Sequence, residues 1–121
     1  MTAIKKVKTL GIGLFLGAMI FQSCEKVTYE KQEFTGTVKF SADIQPIFDN
    51  NCVSCHSGSL APNLSDGKSF SSLVPGYVNL TTPADSKLYK QLTTNSSHIP
   101  RTTDLEKQKI LKWIEQGAKN D

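Results

Sequence analysis

Hydrophobic and polar positions fall into distinct regimes along this chain. Residues 10–21 are apolar or small, carry no charge and show no polar face. From Glu25 to Lys39 charged and polar residues dominate, and Val27, Tyr29 and Phe34 are scattered at no helical period. That pattern predicts a short tether with an extended piece around residues 34–40. A helical signal then begins: Ile44, Ile47 and Phe48 fall at i, i+3 and i+4 and share one face. Ser41 or Asp43 can cap this helix, Pro46 is tolerated in its first turn, and it must stop near Asn50-Asn51. Residues 57–67, rich in Ser, Gly, Asn and Pro, form a loop. A helical turn is predicted over residues 69–73, followed by a turn at Pro75-Gly76. Leu88 and Leu92, one turn apart, mark a helix over residues 85–92, capped by Asp85 or Ser86. In the last helix Thr103 and Glu106 make a capping box, and Leu105, Ile110, Leu111, Trp113 and Ile114 supply an apolar face. Gly117 ends that helix.

At 121 residues the chain holds one small domain. Lys5, Lys6 and Lys8 precede the apolar run, whose length is too short to span a bilayer of about 30 Å. A basic segment before a short apolar one reads as an export signal. Three glycines in the run, Gly11, Gly13 and Gly17, argue against a buried first helix. Phe21-Gln22-Ser23-Cys24 resembles the bacterial lipobox, in which the cysteine is acylated and becomes the new N-terminus. Phe21 and Gln22 depart from the usual Leu and small residue, and ordinary signal cleavage is the alternative. Lipidation would account for a cysteine otherwise unpaired in an exported protein. Three of the 14 basic residues precede Cys24 and all 11 acidic ones follow it, so a chain starting there is neutral. No basic patch argues for nucleic acid. Encounter with protein partners would rest on confinement at a membrane surface rather than on long-range steering.

Cys52-Val53-Ser54-Cys55-His56 is the chemically decisive stretch. Two thiols three positions apart, with histidine directly after, form an attachment site for a c-type haem. The sulfurs add across the two porphyrin vinyl groups, and His56 becomes the proximal ligand. A thioredoxin-like dithiol would want a βαβ pattern, and none is visible. A four-ligand zinc site would have to recruit His98 or a carboxylate, because Cys24 lies far upstream. A ligating imidazole gives its other N–H to a carbonyl. In c-type cytochromes a loop proline often provides it; Pro62 is the candidate here, with a plain turn residue as the alternative. Tyr89 is a candidate for reaching a haem propionate.

Residues 43–48, the attachment motif and Trp113-Ile114-Glu115-Gln116-Gly117-Ala118 together resemble the small mono-haem cytochrome c domains of bacterial lipoproteins. The resemblance covers about residues 40–121. It implies an all-α, class I cytochrome c-like fold, helices packed around one covalent haem, and electron transfer. The organisation expected is a signal over residues 1–23, a tether over 24–39 and the domain over 40–121. One departure matters. That family usually has a Met-Pro pair before the last helix, whereas this chain has Ile99-Pro100. Its two methionines, Met1 and Met19, lie in the export segment.

His98, one residue before the vacated position, is the expected distal ligand, giving bis-histidine ligation with His56. The alternatives are a five-coordinate or water-bound iron, or ligation by a lysine, Asn95 or the Tyr89 phenol. No paired carboxylates, nucleophile or phosphate loop suggests turnover, so the chain reads as an electron carrier and not an enzyme. Its expected setting is a lipid-anchored position on the periplasm-facing or cell-surface side of a bacterial membrane, serving redox partner proteins. A haem-based gas sensor with an open distal site is the second reading, and a non-haem interaction lipoprotein the third.

Overall fold

The computed structural model describes residues 33–121; the expected export segment, Cys24 and the first part of the tether lie outside them. Among the described residues every regular element is helical, and the fold class is all-α. A π-helical turn, Phe40–Ile44, runs into α1 (Gln45–Asn51). α2 (Ser69–Leu73) is short, α3 spans Lys87–Thr94 and α4 spans Asp104–Glu115. Two 3-10 turns, Pro83–Asp85 and Ile99–Arg101, lead into α3 and towards α4. α4 packs on α3 and on the π turn.

The capping box at α4 has both of its bonds: Glu106 N–H donates to Thr103 Oγ1 (3.2 Å), and Thr103 N–H donates to Glu106 Oε2 (2.7 Å). At the other end Gly117, at φ +97°, takes the left-handed conformation that a side chain resists. Ile110, Trp113 and Ile114 are buried at i, i+3 and i+4. Trp113 meets Phe40 and Phe70 at centroid distances of 5.2 and 6.5 Å, and its indole N–H donates to Lys119 C=O (2.8 Å). Each such buried apolar side chain contributes about 1.5–3 kcal/mol. Leu105, expected on this face, is instead 53% exposed. It lies about 140° around the helix from Ile110 and about 180° from Ile114, so it turns away from the core.

Two caps differ from expectation. Ser86 is buried, and its hydroxyl accepts Asn79 N–H (2.9 Å) rather than capping α3. Ser41 makes no capping bond, and Asp43 Oδ2 reaches back to accept Lys39 N–H (3.0 Å).

Residues 34–39, expected as the end of the tether, belong to the domain. Val38 is buried. Phe34 N–H donates to Gln108 Oε1 (2.9 Å) and Val38 N–H to Gln116 Oε1 (3.0 Å). Gln108 and Gln116 stand eight positions apart on one side of the α4 segment. Their amide oxygens satisfy an extended strand of backbone that has no sheet to join. Lys109 Nζ completes the seam, lying 5.6 Å over the Phe34 ring and 3.3 Å from Asp43. The boundary expected at residue 40 therefore falls earlier, before Phe34.

Candidate cofactor site

α1 delivers the cysteine-rich turn. Cys52 and Val53 N–H both donate to Phe48 C=O (2.8 and 3.0 Å), which ends the helix. Cys55 and His56 N–H then both donate to Cys52 C=O (3.1 and 3.0 Å), wrapping the five residues about one carbonyl. Cys52 is half-buried and Cys55 exposed. Both line a crevice of about 550 Å³. That volume lies within the range of about 300–1,000 Å³ typical of cofactor and ligand sites.

His56 closes the next loop on itself. Leu64 N–H donates to His56 C=O (2.7 Å), and His56 Nδ1 stands 3.1 Å from Pro62 C=O. A carbonyl only accepts, so Nδ1 carries a hydrogen, and in the neutral ring Nε2 keeps its lone pair. Buried Gln45 supports this loop from α1. Its Nε2 donates to Leu64 C=O (3.1 Å) and Asp49 Oδ1 (2.8 Å), while its Oε1 accepts from Ser69 Oγ.

His98 lines the same crevice from the other side of the sequence, at the start of the 3-10 turn Ile99–Arg101. The centroids of the His56 and His98 rings lie 6.2 Å apart, with their planes at 44°. Two imidazoles on opposite faces of one metal ion need about 6.2 Å, from a nitrogen–metal bond of about 2 Å and about 1.1 Å from nitrogen to ring centre on each side. The observed spacing fits. Phe48, Leu64, Leu88, Leu92 and Ile110 give the crevice apolar walls, and Arg101 and Thr102 add polar groups. Thr102 Oγ1 is buried and has no hydrogen-bond partner among the described residues. An apolar crevice with paired thiols, two imidazoles 6.2 Å apart and an unsatisfied hydroxyl suits haem c, whose ring is apolar and whose propionates accept hydrogen bonds.

The rival readings of the thiols find less support. Burial, with the Glu106 carboxylate nearby, pushes the Cys52 thiol up to about 11, although Arg101 pulls the other way. A catalytic dithiol needs an attacking thiol that titrates near ambient pH. Among the described residues no three His, Cys, Asp or Glu side chains converge to hold a bare metal ion.

Tyr89 stands elsewhere. It lines a separate, smaller cavity with Ile99, Asp104 and Lys107 and does not border the crevice. Leu88, Gln91 and Leu92 are the residues of α3 that line the crevice, and Tyr89 is turned about 100° from Leu88. Tyr77, from the preceding loop, lines the crevice instead. Ile99, in the position where methionine was expected, also lies outside the crevice lining. Arg101, Thr102 and Tyr77 carried no local sequence signal; only the folded backbone brings them to the site.

No protein-family model and no curated protein matches the chain. Among solved structures, hydrazine synthase from Kuenenia stuttgartiensis is similar to it, with a TM-score of 0.58 and 26% identity. The match covers 65% of this chain and 16% of that one, so this chain spans a small share of the length of the protein it resembles.

Proposed function

We propose that this chain is a mono-haem c-type cytochrome of class I type that carries electrons and does not turn over a substrate. In this reading Cys52 and Cys55 would hold the porphyrin through thioethers, and His56 and His98 would ligate its iron. The observation that carries it is the pair of imidazoles 6.2 Å apart across a crevice bordered by both thiols. The helical likeness to part of a larger protein is compatible with such a domain. When bound, haem c supplies one-electron exchange between ferric and ferrous iron. The chain's own residues provide the rest. Pro62 C=O holds the His56 ring and leaves Nε2 as the donor atom. The apolar walls lower the local dielectric and keep bulk water from the ring. A histidine opposite His56, in place of methionine, leaves the potential lower than in a His/Met cytochrome. Acylation of Cys24 after export would anchor the domain at a bacterial membrane, within reach of redox partner proteins.

The test is a pyridine haemochrome assay on protein matured in a host competent for cytochrome c, followed by carbon monoxide addition to the reduced form. One haem per chain and slow carbon monoxide uptake are expected. A colourless protein would end the cytochrome reading, and rapid uptake would replace bis-histidine ligation with an open, gas-binding site.

A further inference from the structure

The hydrogen-bond directions around His98 follow from one backbone group. Ser97 N–H, which can only donate, points at one side-chain atom of Asn95 at 3.0 Å, so that atom is Oδ1 and not the amide nitrogen. The opposite end of the same amide, Nδ2, donates to Gln91 Oε1 (2.8 Å). Ser97 Oγ lies 2.7 Å from Asn95 Oδ1, an atom with no hydrogen to give. The single hydroxyl hydrogen of Ser97 is therefore committed to Asn95. Ser97 Oγ also lies 3.1 Å from His98 Nδ1 and can only accept there. It follows that His98 carries a hydrogen on Nδ1, so that the neutral ring presents a bare Nε2. Asn95 fixes the loop as well, since its C=O accepts the N–H of both His98 and Ile99 (3.0 and 2.9 Å).

We propose that Asn95 and Ser97 are positioning residues for His98: a relay that selects its tautomer and holds its ring with Nε2 available to the crevice. This inference rests on the bis-histidine reading above and deepens it. His56 reaches the same tautomer by a different route, through the Pro62 carbonyl. The two faces of the crevice are thus equipped alike, one by backbone and one by side chains. The side-chain version is the weaker, because Ser97 is exposed and water competes for its bonds. His98 is accordingly the ligand that lets go first.

The experiment uses the full chain with its haem attached and compares wild type with Ser97→Val, Ser97→Thr and His98→Ala. Valine and threonine have the same shape, so only the hydroxyl differs. Carbon monoxide uptake by the reduced protein reads how often His98 leaves the iron, and the ferric absorption spectrum reads the low-spin fraction. Loss of such a supporting partner typically weakens a metal ligand by about 10- to 100-fold. Ser97→Val is expected to take up carbon monoxide roughly tenfold faster than wild type. Ser97→Thr is expected to restore the wild-type rate, and His98→Ala to be faster than all of them. Equal rates and spectra in wild type and Ser97→Val would overturn the relay while leaving both histidines as ligands. If wild type itself were as fast as His98→Ala, the bis-histidine reading would fail, and the relay with it.

Discussion

Asn51 Nδ2 donates to Glu106 Oε1 at 3.1 Å, tying the residue before the cysteine turn to the first turn of α4. The other oxygen of the same carboxylate closes the capping box with Thr103. One side chain thus joins the start of the last helix to the rim of the crevice.

The Glu106 carboxyl is held below its ordinary value of 4.5. Burial pushes it upward, but the Thr103 backbone and hydroxyl, the Asn51 amide and the nearby Lys109 charge together outweigh that. A folded value below the unfolded one gives stability that is present above 4.5 and lost as pH falls through the folded value. Glu106→Gln should therefore cost more at pH 7 than at pH 3, as read by urea midpoints. Glu106→Ala, which removes the cap and the tie together, should cost about 1–2 kcal/mol at pH 7. An equal cost of Glu106→Gln at both pH values would show that the charge contributes nothing.

Gln45 offers a sharper stability test, because it is buried and two of its partners, Leu64 and Ser69, are too. Gln45→Leu keeps the volume but strands Leu64 C=O and Ser69 Oγ. Each stranded buried group costs about 1–3 kcal/mol, so a loss of about 3 kcal/mol in urea unfolding is expected. Adding Ser69→Ala should recover part of it, since removing both partners of a bond is far cheaper than removing one. Hydrogen exchange at Leu64 N–H should quicken in Gln45→Leu, because that amide closes the His56 loop.

Cys52 should be a poor nucleophile whenever it is not in a thioether. Its thiol sits at about 11 rather than 9.0, which cuts the thiolate present at pH 8 by about a hundredfold. The greater intrinsic nucleophilicity of a more basic sulfur returns about tenfold, leaving a net slowing of about tenfold. Alkylation at Cys52 in the Cys55→Ser chain, produced without haem attachment and read by peptide mapping, should thus proceed about tenfold faster in urea than in buffer. Faster alkylation in buffer than in urea would revive a redox dithiol.

What the sequence disclosed and what it withheld divide by range. The Thr103–Glu106 box, the turn at Gly117 and the helix ending at Asn51 are each written within a few residues, and each can be read without knowing the fold. The closeness of Pro62 to His56 is of the same kind, because a six-residue loop can hardly carry its carbonyl elsewhere. The errors are tertiary. Residues 34–39 looked like a polar tether because their partners, Gln108 and Gln116, are more than seventy positions away. Ser86 looked like a cap, but the backbone of Asn79 takes its hydroxyl. Tyr89 looked available to a cofactor until the tilt of α3 set Leu88 and Leu92 towards the crevice. Periodicity shows that a helix has an inner face; the orientation of that face comes from the neighbours it packs on.

Thr102 allows a test in which the sign, and not only the size, of the effect is informative. Its hydroxyl is buried beside the crevice with no partner among the described residues. A buried hydroxyl without a bond costs about 1–3 kcal/mol, and few residues are selected to bear that for nothing. If the hydroxyl serves a polar group of the cofactor, Thr102→Val should stabilise the chain made without haem by about 1 kcal/mol. The same substitution should destabilise the haem-loaded protein by a similar amount, because a bond formed on loading is lost. Paired thermal melts of the two forms would show the crossing. Stabilisation in both forms would mean that the hydroxyl never meets the cofactor and that this wall of the crevice is only packing.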